Sequence, residues 1–328
     1  MLVVIMILLI LAGVAVPVMR PALEGRRVRE AARAVNVYFS SARNRALETG
    51  RPSGVMLQRM EVEPGASMIL HQVEVPPPYA GDTADARFQV QHYASNTFYA
   101  QMQAAATFTP KLVSVGDLIQ FNGQGPWYQI TGPDDNTDDV IDDDAATATD
   151  PLLMQPTQVS AGQMTPWPTP TDTPAWSQPV PYQILRRPTK SAAAPLQLPM
   201  RTVVDLAASG IHPGETTPTA AAPGTSLLGA GPVSILFSGN GSLDRIDAKQ
   251  GDGAAHPLAG PLVFPVYLLV GRRDKVGDAA NPNWADFNNI WVALNPQTGM
   301  VTTAPVASTT SVDDSRELAR KAYSVGGR

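Results

Sequence analysis

The first nineteen residues carry no charge, and Arg20 is the first charged side chain. At 1.5 Å per residue, a helix of that length measures about 28 Å, close to the roughly 30 Å of bilayer hydrocarbon. A helix also satisfies its own backbone polar groups in lipid. The run therefore predicts a single transmembrane helix over 1–21. The competing expectation is a cleaved secretory signal ending near the small residues Gly13 and Ala15. Against it, no basic residue precedes the run. Arg20, Arg26, Arg27, Arg29 and Arg33 all follow it. By the positive-inside rule alone, the C-terminal side would face the cytoplasm.

From residue 22 the apolar spacing becomes helical. Val28, Ala32, Val35, Phe39, Ala42 and Ala46 recur at intervals of three and four, one stripe of an amphipathic helix, widened by Ala31, Tyr38 and Leu47. Gly50 supplies a left-handed C-cap, and Pro52 cannot continue the helix, so the segment closes at 50. Pro17 and Pro21 predict a kink at the junction of the two halves.

Beyond Pro52 the pattern is one of strands. Residues 54–58 and 67–75 flank a Glu63-Pro-Gly65 turn, the first strands of a β domain over 51–79. Residues 80–199 read as an insertion. It holds a small β segment (88–93, 117–121 and 123–130), a run with eight Asp between 134 and 150, and an extended linker with eleven prolines between 151 and 200. Strands resume over 200–307, at 201–206, 233–237, 243–246, 264–270, 289–294 and 300–303. A polar tail over 308–328 has a short helical pattern at 313–323.

Residues 2–17 resemble the N-terminal helix of type IV pilins and pseudopilins. Residues 42–52, Ala-Arg-Asn-Arg-Ala-Leu-Glu-Thr-Gly-Arg-Pro, resemble the helix end of the H-type minor pseudopilins (the FimT/GspH group). Phe237-x-x-x-Gly241 and the Thr298-Gly299 turn between the last two strands are similar to that group's β domain. The resemblance covers 2–58 well and 200–303 loosely. It implies an α+β class: a pilin-like fold with a long N-terminal helix, transmembrane in its first half, packed on an antiparallel β-sheet domain, here with a large β and Pro-rich insertion. It implies membrane anchoring and helix packing by Leu2, Val3, Val4, Ile5, Leu8, Leu9, Leu11, Gly13, Val16 and Pro17. In that family a basic leader ending in Gly comes first, the prepilin peptidase cuts after that Gly, and a Glu a few residues on directly precedes the apolar run. Those residues would fall upstream of Met1, so a start codon further upstream is expected.

Composition narrows the chemistry. The chain has no Cys, which excludes disulfides, a thiolate nucleophile, Fe–S clusters and Cys-ligated zinc. Its 24 Lys and Arg against 29 Asp and Glu give a net charge of −5, without the basic footprint of a nucleic-acid binder. His71, His92, His212 and His256 are scattered, with no ligand spacing, and no nucleophile elbow or Walker loop is present. The one metal candidate is Asp134-x-Asn136-x-Asp138, which has the opening spacing of a calcium loop. It departs from that loop at Asp139, where Gly is wanted, and at Ala145, where Glu is wanted; a solvated acidic loop is the simpler expectation.

The expected function is structural: a minor pseudopilin of a type II secretion or type IV pilus-like system, not an enzyme, with no required cofactor. The chain would be single-pass in the bacterial inner membrane with its C-terminal domain periplasmic. Its partners would be other pilin or pseudopilin subunits, the membrane and the prepilin peptidase, and no nucleic acid. The alternative is a membrane-anchored extracytoplasmic binding module, calcium-dependent if the Asp loop is a site.

Overall fold

The structure is a computed structural model. It describes residues 2–94, 97–103, 108–133, 151–156, 175–211, 227, 231–249, 255–258, 264–307, 309 and 311–326; side chains at 2–3, 5–22, 94, 248–249, 255–258 and 322–326 are not described. Helix α1 runs Leu2–Thr49 and α2 runs Val312–Gly326. The strands are β1 (Ser53–Arg59), β2 (Ala66–Glu74), β3 (Phe88–Ala94), β4 (Thr97–Met102), β5 (Leu118–Phe121), β6 (Tyr128–Gly132), β7 (Leu152–Pro156), β8 (Tyr182–Leu185), β9 (Thr189–Lys190), β10 (Leu196–Gln197), β11 (Thr202–Ile211), β12 (Val233–Phe237), β13 (Leu243–Lys249), β14 (Ala255–Leu258), β15 (Val266–Arg272), β16 (Ile290–Leu294) and β17 (Val301–Pro305). They divide between two compact units. One comprises residues 1–74, 190–253 and 257–328, the other 75–189 and 254–256.

In the first unit an antiparallel sheet runs β13-β12-β1-β2-β11-β15-β16-β17, with β10 on β2. Side chains alternate across a strand, so each strand feeds both faces. On β15, Val266, Leu268 and Val270 join the face under α1, while Tyr267 and Leu269 join the face under α2. On β16, Val292 and Leu294 face α1, and Trp291 and Ala293 face α2. All six residues of the sequence stripe from Val28 to Ala46 are buried on the first face, and Phe39 meets Phe237 edge-on at 6.5 Å between ring centroids. Of the residues expected to widen the stripe, Ala31 is buried but Leu47 stays 43% exposed.

One irregularity shapes the second face. Between Asp205 and Gly210, β11 slips register against β15. The Asp205 carboxylate accepts the amides of Ala207 and Ala208, both at 3.1 Å, and Ser209 Oγ accepts the Leu269 amide at 2.9 Å. Side chains thus replace the ladder bonds that the bulge forfeits. The freed Ala208 carbonyl accepts the Arg316 guanidinium of α2 at 2.7 and 3.2 Å, and Trp291 Nε1 donates to Ser315 Oγ at 3.0 Å.

The second unit is a closed barrel. Its sheet runs β3-β4-β7-β6-β5-β8. The chain entering β8 pairs back onto β3: Phe88 and Val180 exchange both backbone bonds, at 3.0 and 2.8 Å, and Ser177 N donates to Val90 O. Inward residues fill it with aromatic rings. Phe88 contacts Phe108, Phe121 and Tyr182, and Tyr128 contacts Phe98 and Phe121. Leu152–Pro156 and Tyr182–Leu185, in the stretch read as a Pro-rich linker, are barrel strands, because Leu152, Met154, Tyr182 and Ile184 alternate inward.

The expected fold class is corrected. Among the described residues strand outweighs helix, and the strands form two antiparallel sheets rather than the single sheet of a pilin-like α+β fold. Among the described residues no helix is long and apolar enough to cross a membrane. From Leu23 to Thr49, where the side chains of α1 are described, the helix is amphipathic: Glu24, Arg26, Arg27, Arg29, Glu30 and Arg33 fall within ten residues of it. The apolar opening is one segment, whereas short period-2 strands recur from Ser53 to Pro305 and decide the class.

Candidate functional site

The residues expected to anchor and pack, Leu2, Val3, Val4, Ile5, Leu8, Leu9, Leu11, Gly13, Val16 and Pro17, all lie in α1, which continues through Pro17 and Pro21. Of their side chains only that of Val4 is described, and it is 57% exposed. The described docking of α1 begins at Glu24, whose carboxylate meets Arg272 at 2.7 Å. Arg272 also holds Asp274 through two bonds of 3.1 and 2.6 Å, and that pairing raises its pKa further.

At the other end of the helix two turns converge. Gly50, at φ 65°, closes α1 by donating to Ala46 O at 2.9 Å. Arg43 Nε donates to Thr298 O at 2.9 Å and to Gly241 O at 3.2 Å, so one guanidinium ties the turn after β12 to the turn after β16. Gly299, at φ 62°, makes this possible: a Cβ there would overlap the Gly241 carbonyl oxygen and stand 3.0 Å from Arg43 Nε. The Gly239 backbone likewise approaches Gly50 closely enough to exclude a Cβ. Along the flank, Asn36 Nδ2 donates to Val301 O at 3.3 Å, Tyr38 OH accepts the Gln72 amide at 2.9 Å, and Arg45 pairs with Glu74 at 2.5 Å. The result is a helix fixed in rotation and register from Glu24 to Thr49.

The sequence reading singled out Phe237–Gly241 and Thr298-Gly299 separately. The structure brings them together on α1. Arg43 and Glu24 lie off the apolar stripe, so its spacing carries no sign of these contacts. The only signal available was their proximity to the stripe's two ends.

In the barrel unit the β5–β6 turn passes through Asn122, Gly123 and Gly125, all at positive φ. It borders a cleft of 360 Å³ lined by Phe121, Asn122, Gln124, Gly125, Pro126, Tyr128 and Val180. Burial pushes the phenols of Tyr128 and Tyr182 well above their usual value.

Asp134, Asn136 and Asp138 lie outside the described residues. Among the described residues no group of three or more His, Asp or Glu side chains is placed to hold a metal. His71 Nε2 bonds Gln58 at 2.9 Å in the first unit, and His92 packs on Phe98 at 5.0 Å in the barrel. His212 and the His256 side chain lie outside the description.

No protein-family model, curated protein or solved structure matches this chain.

Proposed function

We propose that the protein is a structural subunit of the minor-pseudopilin kind, in a type II secretion or type IV pilus-like assembly. It would join neighbouring subunits through the N-terminal half of α1. The supporting observation is the division of labour along that helix. From Glu24 to Thr49 it is fixed on the sheet by a buried stripe, two ion pairs and the Arg43 bridge. From Leu2 to Met19 the same helix carries no charge. A docked half that sets direction and an uncharged half of about 27 Å suit a subunit whose work is packing. In this reading the apolar half packs against other subunits and is held in the bacterial inner membrane beforehand.

The absence of native Cys makes the test clean. Leu9→Cys and Val16→Cys, seven residues apart and on one helix face, are oxidised in cells expressing the full chain. The expected result is disulfide-linked dimers at both positions. Met200→Cys, 80% exposed on the first unit, reports random collision. The proposal fails if a Cys scan over residues 2–17 yields no dimers, or no more than Met200→Cys does.

A further inference from the structure

The six barrel strands, Phe88–Ala94, Thr97–Met102, Leu118–Phe121, Tyr128–Gly132, Leu152–Pro156 and Tyr182–Leu185, contain no Asp, Glu, Lys or Arg. They contain seven Gln. The outward positions of β3, β4 and β7 form a continuous surface. Gln89 lies opposite Gln101, Gln91 opposite Tyr99, and Tyr99 opposite Leu153. Gln101 Nε2 donates to Gln89 Oε1 at 3.3 Å, and Gln89 Nε2 donates to Ser177 O at 3.4 Å, so these amides run in line across β3 and β4. Beside them Tyr93 and Tyr99 stack at 4.3 Å between centroids and 27° between planes, with Tyr93 61% exposed. Gln155 is exposed on β7.

Exposed strand faces ordinarily carry charges for solubility, and open edges carry them to block pairing. Closure of this barrel removes the second need but not the first. It also leaves unexplained an exposed aromatic stack beside aligned amides. The surface's chemistry narrows what it would take. An anionic ligand or nucleic acid wants Lys or Arg, which the strands lack. An extended peptide adding a strand wants a free edge, which a closed barrel does not offer. A neutral sugar chain fits. The C–H face of a pyranose stacks on an aromatic ring, side-chain amides exchange hydrogen bonds with its hydroxyls, and no buried charge goes unpaired. We propose that the outer face of β3, β4 and β7 binds a neutral polysaccharide. This is independent of the assembly role proposed above.

The test is affinity electrophoresis of the purified full-length protein, in a detergent without a sugar headgroup, through native gels containing dextran, hydroxyethylcellulose or the anionic polygalacturonate. Retardation is expected in at least one neutral glycan and not in polygalacturonate. Tyr93→Ala should weaken it by about tenfold, whereas Tyr93→Phe, which keeps the ring, should stay within about twofold. Gln155→Ala, at an exposed position, should weaken it by about threefold and serves if Tyr93→Ala does not fold. The proposal is overturned by no retardation in either neutral glycan, by retardation in polygalacturonate alone, or by a folded Tyr93→Ala that binds like the parent. It is also overturned if that substitution changes only the oligomeric state, which would make the face a contact between copies.

Discussion

Arg43 on α1 donates to the carbonyl of Thr298, 255 residues later, at 2.9 Å. That bond reaches a turn that also presents Gly299 to the Gly241 carbonyl, so the end of the helix and two hairpin turns form one packed unit.

The crowding at Gly299 separates two effects of substituting a left-handed glycine. Gly299 and Gly277 both have positive φ, 62° and 70°, but a Cβ at Gly277 meets nothing within 4 Å. Gly277→Ala is expected to cost about 1–2 kcal/mol, the left-handed penalty alone. Gly299→Ala adds overlap with backbone and should cost about 3 kcal/mol or more. Urea denaturation of both variants checks this, and equal costs would refute the clamp geometry.

Phe39 is fully buried and meets Phe237 edge-on under α1. Phe39→Ala is expected to destabilise by about 3–5 kcal/mol, through lost burial and the cavity left behind. Val37 on the opposite face is 62% exposed, so Val37→Ala should fall within about 0.5 kcal/mol of the parent. A shift in the denaturation midpoint for Phe39→Ala no larger than that for Val37→Ala would contradict the docking.

Burial raises the pKa of Asp205 above the usual carboxylate range, against the opposing bonds from Asn283, Ala208 and Ala207. A raised folded-state pKa means the folded protein binds the proton more tightly than the unfolded chain. The resulting stabilisation is complete below the unfolded value near 4 and is lost as pH rises through the folded value. Asp205→Asn cannot titrate. The stability of the parent relative to Asp205→Asn should therefore fall as pH rises from about 4, measured by denaturant titration at several pH values. A pH-independent difference would rule this out.

Arg316 is 2% exposed and holds the Ala208 carbonyl in the β11 bulge. Arg316→Met keeps the aliphatic stem but leaves that carbonyl unpaired, at a cost of roughly 1–3 kcal/mol. Amide exchange should accelerate across Val312–Gly326 first, because this contact and Trp291–Ser315 fasten α2. Unchanged protection of α2 would show that the bond does not hold it.

Local patterns were readable where one face of one element decided the outcome. The spacing of Val28, Ala32, Val35, Phe39, Ala42 and Ala46 identified the buried stripe residue by residue, and Gly50 and Pro52 marked the end of the helix. The strand at 233–237 lies where its apolar run placed it. Legibility failed where partners are distant in sequence. Residues 152–156 and 182–185 are short and lie among prolines, so only their place in a closed barrel shows them to be strands. The class was misjudged for a related reason: a conspicuous apolar opening outweighed many short alternating segments. Arg43 and Glu24 are charges off the apolar stripe, and their partners Thr298 and Arg272 lie more than 240 residues away, so no local period points to them.

By itself the sequence determined the uncharged opening, the amphipathic stripe that follows, the lack of any thiol chemistry and the positions of most strands. These depend on composition and on periods of 3.6 and 2, which are local. Tertiary structure alone decided that strands 75–189 close into a separate barrel, that Thr298 and Gly241 meet on Arg43, and that Tyr93 stacks on Tyr99 beside aligned amides. Each of these is a meeting of groups that no local period encodes, set by how the sheets pair and close.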